Sequence, residues 1–228
     1  MNCRICRLLN RIWMRSYSMN KDNLRKAHDF LKAHLYSFEQ LDILDLNYRY
    51  EHSLRVYQLG LKLCAAEAYD DEVLPLACLL HDYGKFDAEK EIDHGRVSAA
   101  LVQPFLKTLA LSEKQQHDIL YCIAMYVDDQ CPGDYPHIRE ADALSDCDNI
   151  DRLGAYRIAE TFLYEMSSFK SMPALRERIV WRLANVNRML DEGMGGSACA
   201  KELFKEQLIL LKAYNEKLLE QIDLSVFE

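Results

Sequence analysis

Apolar residues recur along most of the chain at steps of three and four, the spacing that places them on one face of a helix. In segment 22–41 the series is Leu24, Ala27, Leu31, Leu35 and Phe38, and in 48–69 it is Leu54, Tyr57, Leu61 and Cys64. Segment 72–82 is apolar on nearly every face until it runs into His-Asp-Tyr-Gly-Lys, which predicts a helix at the centre of the fold. Further helices are expected at 95–110, at 113–127 behind the N-cap residue Ser112, and at 138–167 with a break near Gly154. Two long ones follow, at 173–191, where Pro173 suits the first turn, and at 198–221, with a Gly-Met-Gly-Gly-Ser turn between them. No run alternates with period two and no segment repeats, so the expected class is all-α.

Composition fits that class. Half of the 228 residues are hydrophobic and 28% are charged, enough for one packed core, and five Pro and eight Gly are few for a turn-rich strand fold. One domain is expected over 20–228, with a motif-bearing core at 47–165 and C-terminal helices at 173–221. The formal net charge of −8 excludes a bulk attraction to nucleic acid or to an anionic membrane, so a phosphate has to be met by local positive charge. No apolar run approaches the roughly 20 residues that a membrane span needs. Eight Cys at irregular spacing, with no secretory signal, read as reduced thiols in a cytoplasmic protein. Cys3 and Cys6 form a C-x-x-C pair, but no second pair or His follows at zinc-finger spacing. The first residues carry Arg4, Arg7, Arg11 and Arg15 and no acid. They read as a transit-like or membrane-surface segment, or as an extension, 1–19, upstream of a start at Met19; the compositional break favours the extension.

Chemistry is concentrated in a few places. Two His-Asp dipeptides occur. His117-Asp118 lies in the polar run EKQQHDILY and reads as a solvated helix face. His81-Asp82 instead closes the apolar run VLPLACLL and precedes Tyr83, Gly84 and Lys85. Buried polar groups need partners, and a metal ion satisfies both side chains together. Neighbouring residues diverge by about 100° on a regular helix, so sharing an ion requires a helix end, which Gly84 provides. The alternative is a capping His beside a solvated Asp. Upstream, His52 stands in YRYEHSLRVYQLG on an amphipathic helix, where alone it reads as an ordinary histidine. Downstream, Asp142, Asp146, Asp148 and Asp151 crowd the stretch EADALSDCDNIDRLGAY; Asp148 and Asp151 stand one turn apart and can point into one cavity.

The ordered set His52, His81-Asp82 and Asp148, with H-S-L-R-V, L-L-H-D-x-G-K and D-C-D-N-I-D-R-L-G-A around it, resembles the HD-domain metal-dependent phosphohydrolase superfamily over 47–165. The resemblance implies a helical bundle in which His52, His81, Asp82 and Asp148 bind one divalent ion, Mn, Fe, Ni or similar, with Mg also admissible; Asp146 is the alternative to Asp148. Such a ligand set leaves positions for a water and a phosphate oxygen, and the implied function is hydrolysis of a small phosphate ester or nucleotide by metal-activated water. Asp82, or a carboxylate close to it, can also take the proton from that water. Lys85 resembles the lysine that often follows the pair and would offset phosphate charge, with a plain surface lysine as the alternative. Arg55 and Arg152, each one turn from an implied ligand, and Asp151 are the expected substrate contacts.

His94, in D-H-G-R-V-S-A-A, is similar to the extra histidine that some branches use for a second metal or for protonating the leaving group. Dinuclear branches add another His in the following helix, where this chain has Tyr126. That departure points to one metal, with His94 as an acid or hydrogen-bond donor. A catalytically inert nucleotide-binding or sensor protein of the same fold is the alternative function, and a purely structural bundle a third. Tyr83, Tyr126, Tyr135 and Tyr156 are aromatic surfaces on which a base could stack, with plain packing as the alternative. The expected partner is a small phosphorylated substrate, and no motif encodes its identity or the oligomeric state.

Overall fold

The computed structural model describes residues 20–131, 134–161 and 171–225. The readings for 1–19, including the Cys3–Cys6 pair and the start at Met19, and for 162–167 lie outside these residues. Among the described residues the chain is all-α and holds no strand. The helices are α1 (Lys21–Leu35), α2 (Ile43–Ala66), α3 (Val73–Leu80), α4 (His94–Leu106), α5 (Glu113–Met125), α6 (Arg139–Asp151), α7 (Ala155–Glu160), α8 (Met172–Glu192) and α9 (Ala198–Asp223). A single 3₁₀ turn, Glu91–Asp93, leads into α4.

Side-chain chemistry sets the helix starts. Asn20 accepts from the backbone N–H groups of Asp22 and Asn23 at the head of α1, and Asp42 accepts from Leu44 at the head of α2. Ser112 and Gln115 form a capping box on α5, while Ser171 and Ser197 cap α8 and α9. Pro173 lies in the first turn of α8, where its missing N–H costs nothing. The turn after α8 includes Gly193 and Gly195, both at positive φ.

By their internal contacts the residues fall into two compact units, one ending at Asp148 and one beginning at Asn149. In the first, α3 is the centre. All eight of its residues are buried, and it packs against α1, α2 and α5, while α4 lies against α5. Leu74, Leu76, Leu79 and Leu80 are almost wholly removed from water, each worth about 1.5–3 kcal/mol of transfer free energy. In the second unit α9 packs along α8 and touches α7, and Leu175, Ile179 and Ile222 form its buried cluster.

Two features fix the turn that follows α3. The rings of Phe105, Phe30, Tyr83 and His34 stack in that order with centroids 4.0, 4.5 and 4.0 Å apart and planes within 9°. Gly84 sits so close to α4 that a Cβ would lie 2.8 Å from the backbone nitrogen of Ser98 and 2.9 Å from a methyl of Val97. Its N–H donates to Ser98 Oγ at 2.8 Å. The glycine thus does something other than expected. The helix ends at Leu80, four residues earlier, and Gly84 serves a close approach between elements rather than the helix stop.

Candidate metal centre

Five elements deliver side chains to one buried place. His52 comes from the middle of α2, His81 and Asp82 from the turn that closes α3, and Asp148 from α6; His94, the first residue of α4, and Tyr126, just past α5, stand beside them. Because α3 has ended, His81 and Asp82 turn toward the same space instead of diverging around a helix. Nε2 of His81 lies 3.3 Å from Nε2 of His52 and 3.4 Å from Asp82 Oδ2. Nε2 of His52 lies 3.6 Å from Asp82 Oδ2 and 3.1 Å from Asp148 Oδ1, and that oxygen is 4.0 Å from His81 Nε2.

Donors bound to a common ion at about 2.1 Å are separated by about 3.0 Å at a right angle and about 3.4 Å at the tetrahedral angle, so these spacings suit a shared cation. Among the described residues His52, His81 and Asp148 form the compact donor group, their ligand atoms within 4.8 Å of one another. The tautomer of His81 fits as well. Its Nδ1 lies 2.8 Å from the Cys78 carbonyl, which can only accept, so Nδ1 carries a proton and Nε2 is the nitrogen left to the cluster. Two imidazoles and two carboxylates, all buried, make a set that water does not neutralise and that a divalent ion fits.

Asp82 is the most heavily partnered member. Its Oδ1 accepts from the Tyr126 hydroxyl at 2.7 Å and faces His94 Nε2 at 3.3 Å; its Oδ2 accepts from Arg49 Nη1. Burial pushes the Asp82 carboxyl up, yet the charge of Arg49, then the contacts of His81 and His94, hold it well below the usual carboxylate range. Asp148 is lowered against the same burial, chiefly by its hydrogen bond with His52 and by His81. Tyr126 is pushed far up by burial and by the charges of Asp82 and Asp148, so its hydroxyl keeps its proton and remains a donor. Its ring meets the imidazoles of His81 and His94 edge-on, at 5.0 and 5.4 Å.

The other expected site residues are placed variously. His94 is buried at the cluster, with Nδ1–H donating to the Glu91 carbonyl. A hydrogen bond from its Nε2 to the carboxylate therefore requires the doubly protonated ring, the state in which a histidine is an acid. Lys85 is paired with the solvent-facing carboxylate of Glu91. Arg55 is half-buried on α2. Asp151, half-buried, and Arg152, exposed, belong to the second compact unit. Of the D-x-D pair it is Asp148 that meets the histidines, while Asp146 is half-buried.

Two contacts escaped the sequence reading. Arg49 precedes His52 by three residues, hence by one turn on the same face, a spacing that is visible in YRYEH. Tyr126 was read as a missing ligand, but its bond to Asp82 depends on the packing of α3 against α5 and left no local signal. The second dipeptide also differs from expectation. His117 is exposed as predicted, but Asp118 is buried, held by Lys114 at 2.6 Å and by the Tyr135 hydroxyl.

An all-α unit that gathers two histidines and two aspartates around α3 defines the class, and relatives agree with it. Residues 49–153 match the family model of the HD domain. A predicted HD superfamily hydrolase from an uncultured Thermotogales bacterium is 17% identical with a TM-score of 0.63, covering 90% of this chain and 95% of its own. An HD-superfamily hydrolase from Bacillus thuringiensis is 20% identical with a TM-score of 0.65, covering 89% and 98%. No curated protein matches the sequence. Residues 49–153 thus form an HD domain, and the fold of the chain is that of the two solved structures. Among the described residues no helix is long and apolar enough to cross a membrane.

Proposed function

We propose that the protein is a metal-dependent phosphohydrolase acting on a small phosphate ester or nucleotide. The observation that carries this is the convergence of His52 Nε2, His81 Nε2, Asp82 Oδ2 and Asp148 Oδ1, which pair at 3.1–4.0 Å wherever an imidazole is one partner. These four residues would hold one divalent ion, whose contribution would be Lewis-acid polarisation of a phosphoryl group and acidification of water at the site.

The chain's own groups supply the rest. Tyr126 and His94 fix Asp82 Oδ1, so the carboxylate cannot rotate freely, and an ionised Asp82 held low by its neighbours accepts a proton only transiently. His94, anchored through Nδ1 to the Glu91 carbonyl, presents Nε2 at the cluster and is placed to deliver a proton to a leaving oxygen. The guanidinium of Arg49 has a buried Nε with no hydrogen-bond partner, a donor suited to an anionic oxygen. Lys85 offsets phosphate charge if it leaves Glu91, and Arg55 is a further cation on the helix that carries His52. The neighbours named as HD hydrolases support hydrolysis over inert binding.

The test is phosphate release from a panel of nucleotides and sugar phosphates after chelation and after re-addition of Mn, Mg or Ni. Release that is lost with chelation and restored by one of these ions is the expected result. Tight binding of a nucleotide with no release in any metal would replace the enzyme by a sensor.

A further inference from the structure

The two oxygens of Asp82 keep different company. Oδ1 is taken by the Tyr126 hydroxyl and faces His94. Oδ2 is turned to both imidazoles, 3.4 Å from His81 and 3.6 Å from His52, and it is also the atom that Arg49 Nη1 bonds. The remaining donors, on His52, His81 and Asp148, already form the compact group, so the carboxylate that would complete the set is the one neutralised from within the chain. A guanidinium keeps its charge at any pH the protein experiences, and it cannot yield by losing a proton. Two cations on one buried carboxylate oxygen repel each other with little screening.

We propose that Arg49 is the counter-ion of the metal-free centre: it neutralises Asp82 until a divalent ion takes Oδ2, and it lowers metal affinity by competing for that oxygen. This rests on reading His52, His81, Asp82 and Asp148 as ligands. The arrangement would spare the protein, before it binds metal, an unpaired buried carboxylate, which is strongly destabilising. It also makes metal uptake depend on moving one side chain, whose Nε is not held by any hydrogen bond. The opposite role, an arginine that orients Asp82 for the metal, predicts a change of opposite sign when the arginine is removed.

Mn²⁺ titration of the chelator-stripped full-length chain by calorimetry, on wild type and Arg49→Gln, reads that sign. Arg49→Gln should bind Mn²⁺ about tenfold more tightly, the scale of one charged hydrogen bond, and its metal-free form should melt at lower temperature. Equal or weaker binding by Arg49→Gln, with one ion still bound by wild type, overturns the proposal and leaves the metal centre standing. Failure of wild type to bind Mn²⁺ overturns the ligand reading and this inference with it. If Arg49→Gln does not fold without metal, Arg49→Lys replaces it, since the shorter arm reaches Asp82 less closely: tighter binding supports the proposal, and unchanged or weaker binding overturns it.

Discussion

His81-Asp82 and His117-Asp118 are the same dipeptide in two settings. At His81 the helix has just ended, and both side chains enter one buried space. At His117 the helix runs on to Met125, so the neighbours diverge, His117 into solvent and Asp118 inward. Burial does not separate the two aspartates, since both are buried. Their company does. Asp118 is closed by a lysine one turn back on its own helix and by a tyrosine hydroxyl, a complete set for a carboxylate. Asp82 meets Arg49 and Tyr126 but also faces three imidazoles, with Asp148 against two of the same rings. A dipeptide can hold a metal when groups from several elements bring more acceptors together than the protein itself satisfies.

The sharpest way to break this contrast is Asp82→Asn, which keeps the volume and an acceptor for Tyr126 while removing the charge. Phosphate release should fall about 10³-fold, with metal content reduced and the helical circular dichroism signal retained. Activity within tenfold of wild type would mean that the cluster is not the reaction centre. Next in size is His94→Gln, which should keep its metal while kcat/KM falls about 10²-fold, the usual contribution of a positioned acid. Loss of metal in that variant, measured by elemental analysis, would make His94 a ligand. Tyr126→Phe should cost about tenfold in metal affinity or kcat/KM, since it removes one hydrogen bond from a ligand and leaves the ring edges in place. Unchanged values would show that Arg49 and His94 orient Asp82 without it.

Helix positions were legible because apolar spacing and caps are local: α5 begins after Ser112 and α8 carries Pro173 in its first turn, as the pattern predicts. The four residues proposed as ligands were legible as an ordered set because each sits in a distinctive context. What surrounds them was not. Arg49 looks like one more solvent-facing cation until the end of α3 is brought beside α2. Gly84 was assigned to the helix stop because its real constraint, the backbone of Ser98, lies fourteen residues away in another helix. Asp118 was misread because EKQQHDILY is polar around it, and its cover comes from Tyr135 in a separate segment. Periodicity held a clue even so, since Asp118, Tyr121 and Cys122 lie on one buried stripe.

The smallest effect on activity, and the firmest control on the contrast, is expected for Asp118→Ala. The Lys114 side chain is 77% exposed and returns to water without its partner, while the Tyr135 hydroxyl loses a strong acceptor. The loss should therefore appear in stability, at about 1–3 kcal/mol by chemical denaturation of the metal-free protein. Metal content and kcat/KM should stay within twofold of wild type, because Asp118 bonds only to groups outside the cluster among its resolved hydrogen-bond partners. A large loss of activity with little loss of stability would place Asp118 in the reaction and erase the distinction between the two dipeptides. A loss of both would leave the distinction intact only if activity returned when the variant was assayed at a temperature where it is fully folded.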